Sequence, residues 1–74
     1  MSTKSEYESV LSEATRKRCV SELKLQATIT FYQTSCMEED NEKMTQYRSE
    51  IHALQDIVLD CIGTQMYCIG KING

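Results

Sequence analysis

The stretch MTQYRSEIHALQDIVLDCI, residues 44–62, carries the clearest periodic pattern in the chain. Its apolar side chains recur in steps of three and four, at Met44, Tyr47, Ile51, Leu54, Val58 and Cys61. This spacing places them on one side of an α-helix, because about 3.6 residues complete each turn. The stretch therefore predicts a helix whose single apolar stripe must pack against another element.

The size of the chain limits what that helix can pack against. The sequence has 74 residues, of which 41% are hydrophobic, with three glycines and no proline. A chain this small forms one domain, buries only about 60% of its unfolded surface and is marginally stable alone. The scarcity of glycine and proline favours long helices over a turn-rich β fold.

The first half of the chain predicts another helix, which carries two apolar stripes. One stripe consists of Val20, Leu23, Ala27 and Phe31, with Cys19 beside it. The second stripe, which Arg18 and Ser21 interrupt, consists of Tyr7, Val10, Leu11, Ala14, Leu25, Ile29, Tyr32 and Cys36. Because a single helical partner covers only one face, this helix has a second face left to bury.

A turn between the two helices is expected near residues 35–40. The stripes before and after this segment follow different seven-residue phases, so they would not align on one continuous helix. Ser35 and Glu38 match a capping box, and an acidic run follows, as is typical of a helix N-terminus. Gly63 predicts the end of the second helix, since glycine readily takes the left-handed conformation that closes helices.

The expected fold is therefore all-α, an antiparallel two-helix hairpin that resembles a coiled coil. It forms one domain over residues 1–74, with helix one at about 4–34, the turn at about 35–40, helix two at about 41–62 and a tail at 63–74. The hairpin core is predicted at Val20, Leu23, Ala27, Phe31, Met44, Tyr47, Ile51, Leu54, Val58 and Cys61.

The apolar residues left over predict an association protein. They are Val10, Leu11, Leu25, Ile29, Tyr32, Ala53 and Ile57, and we interpret them as partner-binding residues. A large exposed apolar patch usually marks an interaction site. We therefore expect a partner chain, or self-association, to complete the fold.

Composition and charge bear on location and partners. The net charge is −3 and the pI is about 5.0, which disfavours nucleic acids and anionic membranes as main partners. The N-terminal segment has no apolar run of the kind that signal peptides contain, and nothing approaches the roughly 18 apolar residues of a membrane span. The expected location is the cytoplasm, where Cys19, Cys36, Cys61 and Cys68 would be reduced.

Residues that could carry chemistry are few and do not form known constellations. His52 is the single histidine, and its helical neighbours are polar. No cysteine pair has the C-x-x-C spacing, and the acidic run lacks the pattern of a calcium loop. The basic run RKRC, Arg16 to Cys19, is interpreted as a solvated helix face. We therefore predict no catalytic residue, metal, cofactor or small-molecule substrate.

The segment KMTQYRSEIHALQDIVLDCI resembles the second helix of the small type III secretion co-chaperones, the components that assist the needle-subunit chaperone. The matching features are the pair Gln46-Tyr47, the pair Ala53-Leu54, and the branched residues Ile57, Val58 and Ile62. The first helix is similar in the spacing of Val20, Leu23, Ala27 and Phe31, so the resemblance covers about residues 17–62. The turn departs from the family, because it contains neither glycine nor proline.

The resemblance implies a non-enzymatic co-chaperone in the bacterial cytoplasm, with a role in virulence. Such a protein binds and stabilises the helical-repeat chaperone of the needle subunit. That chaperone covers the C-terminal helix of the needle subunit and prevents premature polymerisation.

Two other functions are compatible with the sequence. Two copies of the hairpin would form a four-helix bundle. This bundle would serve as a regulator, including one that binds RNA through Arg16, Lys17, Arg18 and Lys24. Alternatively, the chain is a phage or plasmid adaptor that inhibits a host protein by helix-in-groove contact.

Overall fold

Two long helices form an antiparallel hairpin. The computed structural model describes residues 3–74, with the backbone alone at Thr3; α1 spans Thr3–Met37 and α2 spans Asn41–Asn73. The ring centroids of Tyr7 and Tyr67 lie 6.0 Å apart, so the start of α1 lies beside the end of α2. The radius of gyration is 16.6 Å, against about 11 Å for a compact chain of this length. The predicted all-α hairpin is confirmed, and its shape is a rod.

The turn closes α1 with a residue that is unusual in that position. Glu39 has a φ of 56°, in the left-handed region. Its backbone N–H donates to the carbonyl of Cys36 at 3.2 Å, and that of Asp40 donates to Ser35 at 3.0 Å. These two bonds define a Schellman motif, in which glycine usually takes the left-handed position. Glu39 therefore takes the position that glycine usually occupies, so the turn forms although it contains no glycine.

The N-terminus of α2 is capped by Asp40 and not by the predicted pair. The Asp40 carboxylate accepts a hydrogen bond from the backbone N–H of Lys43 at 3.1 Å. The capping box predicted at Ser35 and Glu38 is wrong, because Ser35 lies inside α1 and its hydroxyl donates to the carbonyl of Phe31 at 2.9 Å. The turn is therefore limited to residues 38–40.

The end of helix two was also predicted wrongly. The helix passes through Gly63 and Gly70 to Asn73, and the backbone N–H of Gly74 donates to the carbonyl of Gly70 at 2.8 Å. Glycine inside a helix costs only about 1 kcal/mol relative to alanine, and packing supplies most helix stability. Since the interior spacing continues through Cys68, packing against the first half of α1 outweighs that cost.

The interior face of α1 contains three of the five α1 residues that the sequence predicts to bind a partner, Leu11, Leu25 and Tyr32. Ala14, Ser21, Thr28 and Ser35 are buried, at seven-residue intervals. Half-buried residues of the same face are Tyr7, Leu11, Arg18, Leu25 and Tyr32. The predicted core positions on α1 are wrong: Ala27 is exposed, and the exposed fractions of Val20, Leu23 and Phe31 are 42%, 68% and 55%.

Side-chain size explains why small polar residues lie inside. The six α2 residues assigned to the core do face α1: Cys61 is buried, and Met44, Tyr47, Ile51, Leu54 and Val58 are half-buried. Small side chains on α1 leave room for these larger ones. The Thr28 hydroxyl donates to the carbonyl of Lys24 at 2.8 Å, so its burial leaves no unpaired donor.

A hydrogen-bonded chain joins the two helices near the middle of the rod. The guanidinium of Arg18 donates to Gln65 at 2.8 Å and to Glu22 at 2.6 Å. The amide of Gln65 donates to the Thr15 hydroxyl at 2.8 Å, and that hydroxyl donates to the carbonyl of Leu11 at 2.8 Å. The arginine that interrupted the predicted stripe thus lies in the interface with its polar groups paired.

Candidate protein-interaction surfaces

The hairpin leaves a large part of its surface exposed to water. The accessible surface is 5609 Å², whereas a compact protein of 8.5 kDa would expose about 4,650 Å². Among the described residues, the large apolar side chains that are more than a third exposed are Val10, Val20, Leu23, Ile29, Phe31, Met37, Leu59, Met66, Tyr67 and Ile69. Three of them, Leu59, Met66 and Ile69, share one surface, and two others, Val10 and Phe31, line a second.

The first surface, here called the C-terminal stripe, consists of Leu59, Ile62, Met66 and Ile69 on α2. The spacing of three, four and three residues places them in one row along the helix. Leu59, Met66 and Ile69 are 65%, 69% and 46% exposed, and Ile62 is half-buried. Such a row matches the seam that one helix presents to another.

Two glycines lie on the same side of α2 as the C-terminal stripe. Gly63 and Gly70 follow Ile62 and Ile69 directly, one heptad apart. A Cβ atom added to either glycine would meet nothing within 4 Å. Packing within the chain therefore gives no reason for glycine at these positions. Small residues at such positions allow the backbone of another element to approach closely.

Sequence reasoning missed the C-terminal stripe because Gly63 was interpreted as the helix end. Residues 63–74 were then assigned to a tail, which removed Met66 and Ile69 from any helix. A signal was present, since the spacing of Leu59 and Ile62 continues at Met66 and Ile69 without a break across Gly63.

The second surface, here called the groove, lies along one edge of the hairpin between α1 and α2. Its larger apolar hollow has a volume of about 430 Å³. The lining residues are Lys24, Ala27, Thr28, Phe31, Glu50, Ala53, Leu54 and Ile57. The ring of Phe31 stacks on that of Tyr47, with centroids 5.8 Å apart and an interplanar angle of 29°. The groove lies roughly 150° around the α2 axis from the C-terminal stripe.

The groove continues toward the open end of the hairpin. A neighbouring hollow of about 260 Å³ is lined by Val10, Glu13, Ala14, Lys17, Asp60, Cys61 and Thr64. Its lysine comes from α1 and its aspartate from α2. In the larger hollow, likewise, Lys24 comes from α1 and Glu50 from α2. Apart from Glu13, which is paired with Arg16, the charged residues that line the groove are positive on the α1 side and negative on the α2 side.

The predicted partner-binding residues do not form one surface. Leu11, Leu25 and Tyr32 are half-buried on the inner face of α1, whereas Val10 and Ile29 are 48% and 37% exposed. Val10 lines the continuation of the groove, and Ala53 and Ile57 lie together in its larger hollow. The structure brings these two beside Ala27 and Phe31, which had been predicted as core.

The basic run is divided among three environments. Arg16 pairs with Glu13, an exposed contact that raises the pKa of Arg16 and lowers that of Glu13. Arg18 lies in the helix interface, and Lys17 lines the groove. The predicted solvated face is therefore wrong for Arg18, and the basic residues do not form one patch.

The other titratable groups with shifted pKa values lie near the rod's ends. A hydrogen bond with Tyr67 raises the pKa of Tyr7, and a hydrogen bond with Tyr32 raises the pKa of Arg48. The Arg48 guanidinium donates to the Tyr32 hydroxyl at 3.1 Å. These contacts tie α1 to α2 at both ends of the hairpin.

The remaining candidate residues are dispersed. Cys19, Cys36 and His52 are exposed, and Cys61 and Cys68 are buried as free thiols. Across residues 3–74, no group of three or more His, Cys, Asp or Glu side chains is placed to hold a metal ion. Neither described helix combines the length and apolar content needed to cross a bilayer.

Comparisons with protein-family models, curated proteins and solved structures find no match to this chain. The fold and its surfaces define the class of molecule: a helical hairpin with two separate apolar surfaces, the C-terminal stripe and the groove.

Proposed function

We propose that this protein is a non-enzymatic adaptor that binds a helix of a protein partner through the C-terminal stripe. The observation that supports this proposal is the exposure of Leu59, Met66 and Ile69 in one uncharged row on α2. Fully burying an exposed side chain of this kind contributes about 1.5–3 kcal/mol, and these side chains, at 46–69% exposed, would contribute about half of that each. Four such side chains offset a substantial part of the free-energy cost of association.

The partner segment is proposed to be helical because of the spacing of the stripe. Leu59 to Ile69 spans about 15 Å along the helix axis, or three turns. Side chains in steps of three and four interlock with the same steps on a facing helix. Gly63 and Gly70 give that helix room to approach the backbone of α2.

The specific partner that we propose is the helical-repeat chaperone of a type III secretion needle subunit. This rests on the resemblance of residues 17–62 to the small co-chaperones of that system, together with the hairpin fold. Terminal repeats of helical-repeat proteins require a cover for their apolar outer face. A hairpin with an exposed apolar row suits that role, and the chaperone would keep the needle subunit unpolymerised.

Among the alternatives, a protein partner is favoured over RNA because Arg16, Lys17 and Arg18 point to three different environments. A phage or plasmid adaptor that inhibits a host protein would use the same stripe with a different partner. Self-association is supported by a separate observation on the groove and is developed below.

The test is co-purification of the tagged chain with a co-expressed type III needle chaperone from the same organism. We expect Met66→Asp to abolish co-purification while far-ultraviolet circular dichroism shows unchanged helicity, because Met66 is 69% exposed. The matched control is Met37→Asp, since Met37 is 86% exposed and lies outside the stripe.

Two results would contradict the proposal in different ways. Failure of the unmodified chain to retain the chaperone would overturn the co-chaperone function. Retention by Met66→Asp equal to that by the unmodified chain would show that the C-terminal stripe is not the binding surface.

A further inference from the structure

We propose that the groove binds a second copy of this chain, so that two hairpins form a four-helix bundle. This inference concerns the groove alone and does not depend on which partner occupies the C-terminal stripe. It rests on the opposite charges of the two groove rims, on the apolar floor between them and on the area of this face.

The charged rims are self-complementary. Lys17 and Lys24 stand on the α1 rim, and Glu50 and Asp60 stand on the α2 rim. Within the described chain, the ion pairs closer than 4 Å are Arg16–Glu13, Arg18–Glu22 and Lys43–Asp40, and none involves these four residues. Glu13 also lines the groove on the α1 side, and its carboxylate is paired with Arg16. The four rim charges are therefore available to charges on another molecule.

The symmetry of a homodimer matches these rims. Most protein dimers have a two-fold axis, which brings the same patch of both subunits together. A two-fold axis parallel to the helices places α1 of each copy over α2 of the other. Each residue then has the same position along the rod's length in both copies. Lys17 and Asp60 line one hollow, and Lys24 and Glu50 line another, so each lysine would face the carboxylate of the other copy at its own level.

The apolar floor and the area also suit a second hairpin. Between the rims lie Ala27, Phe31, Ala53 and Ile57, which the same symmetry brings together from both copies. One face of the rod has a projected area of 57 by 14 Å, about 800 Å², so covering that whole face would reach the order of what each partner buries in an interface of standard size.

The experiment reverses the charges of one rim at a time and then mixes the variants. One variant carries Lys17→Glu and Lys24→Glu, and the other carries Glu50→Lys and Asp60→Lys. We expect the unmodified chain to have close to twice the 8.5 kDa mass of one chain. Each variant alone should dimerise about tenfold more weakly or worse, because like charges then face each other at four places in the dimer.

Mixing the two variants shows whether the rim charges pair between two copies or within one copy. In a mixed pair every reversed lysine faces a reversed carboxylate, so both sets of ion pairs are restored. Native mass spectrometry should then show the mixed dimer in excess of either variant dimer. The control is Asp56→Lys, at an exposed site outside the groove, which should leave dimerisation unchanged.

Three results would overturn the proposal. The first is a monomeric unmodified chain throughout a dilution series. The second is a dimer that neither rim variant weakens, and the third is weakening that mixing does not restore. If Met66→Asp separates the dimer and the rim variants do not, the second copy occupies the C-terminal stripe and not the groove.

Discussion

Replacing Gly63 by alanine should stabilise the hairpin. Gly63 lies inside α2, is exposed, and has open space where a Cβ atom would stand. A methyl group there meets no other part of the chain, so it introduces no clash. It also restricts the unfolded chain, which lowers the entropy lost on folding.

The expected gain follows from helix propensity. Alanine is favoured over glycine by about 0.8–1.0 kcal/mol in a helix interior. For a domain of this size, about 1 kcal/mol raises the melting temperature by about 4–8 °C. We therefore expect Gly63→Ala to melt several degrees above the unmodified chain, as followed by circular dichroism at the helical minimum.

The matched control is Gly74→Ala, at the C-cap of the same helix. A Cβ atom on Gly74 would stand 2.6 Å from the carbonyl oxygen of Gly70, which is closer than real contacts allow. This substitution should give no gain in melting temperature. Although Gly63→Ala should stabilise the hairpin, it should weaken binding of the proposed partner helix. The new methyl group occupies the space that a closely packed helix needs.

An unchanged or lower melting temperature of Gly63→Ala would refute the reasoning. It would mean that α2 does not continue through residue 63 in solution and that Gly63 ends the helix, as its sequence context suggested. The C-terminal stripe would then lose its basis, because Met66 and Ile69 would not belong to the same helix as Leu59.

Two further substitutions test the turn and the interior. Glu39→Gly should raise the free energy of unfolding by up to about 1 kcal/mol, because glycine adopts the left-handed conformation of residue 39 without the steric cost of a side chain. Glu38→Gly should give no gain, and equal gains in urea denaturation would contradict this account of the turn. Cys68→Ser should lower stability by about 1–3 kcal/mol, since residue 68 is 1% exposed. The exposed Cys36→Ser should change stability by less than about 0.5 kcal/mol, and similar losses for both would place Cys68 outside the interior.

The sequence was sufficient to predict the two helices, their antiparallel arrangement and the inner face of α2. The reason is that Ile51, Leu54 and Val58 combine a heptad spacing with large apolar side chains, so periodicity and hydrophobicity agree. The predicted position of the turn, about 35–40, was close to the observed one at residues 38–40. The heptad phase of the apolar residues changes between Cys36 and Met44, and that change depends on the whole pattern and not on one residue.

The inner face of α1 could not be identified by hydrophobicity. Ser21, Thr28 and Ser35 lie inside, whereas Leu23 and Phe31 lie outside. Interior positions opposite large residues need small side chains, and hydroxyl groups that bond to their own helix are tolerated there. The strict seven-residue repeat of the small residues was a better guide than their polarity.

Of the residues that line the candidate surfaces, Val10, Ala53 and Ile57 were predicted to be part of an exposed binding surface. The groove depends on which α1 residues flank them, and the C-terminal stripe depends on α2 continuing past Gly63. The wrong inner face of α1 hid the groove, and the wrong end of α2 hid the C-terminal stripe, so neither surface was predicted.

The contact between Arg18 and Gln65 has a consequence for the register of the hairpin. Sliding α2 by one heptad, about 10 Å, would place Val58 or Ile72 where Gln65 stands. The guanidinium would then lose its cross-helix acceptor. Because the Arg18 side chain is 39% exposed and keeps its contact with Glu22, water replaces part of that bond and the cost is about 1 kcal/mol or less. This polar pair thus favours the observed alignment of the two helices over a shifted one by a modest amount.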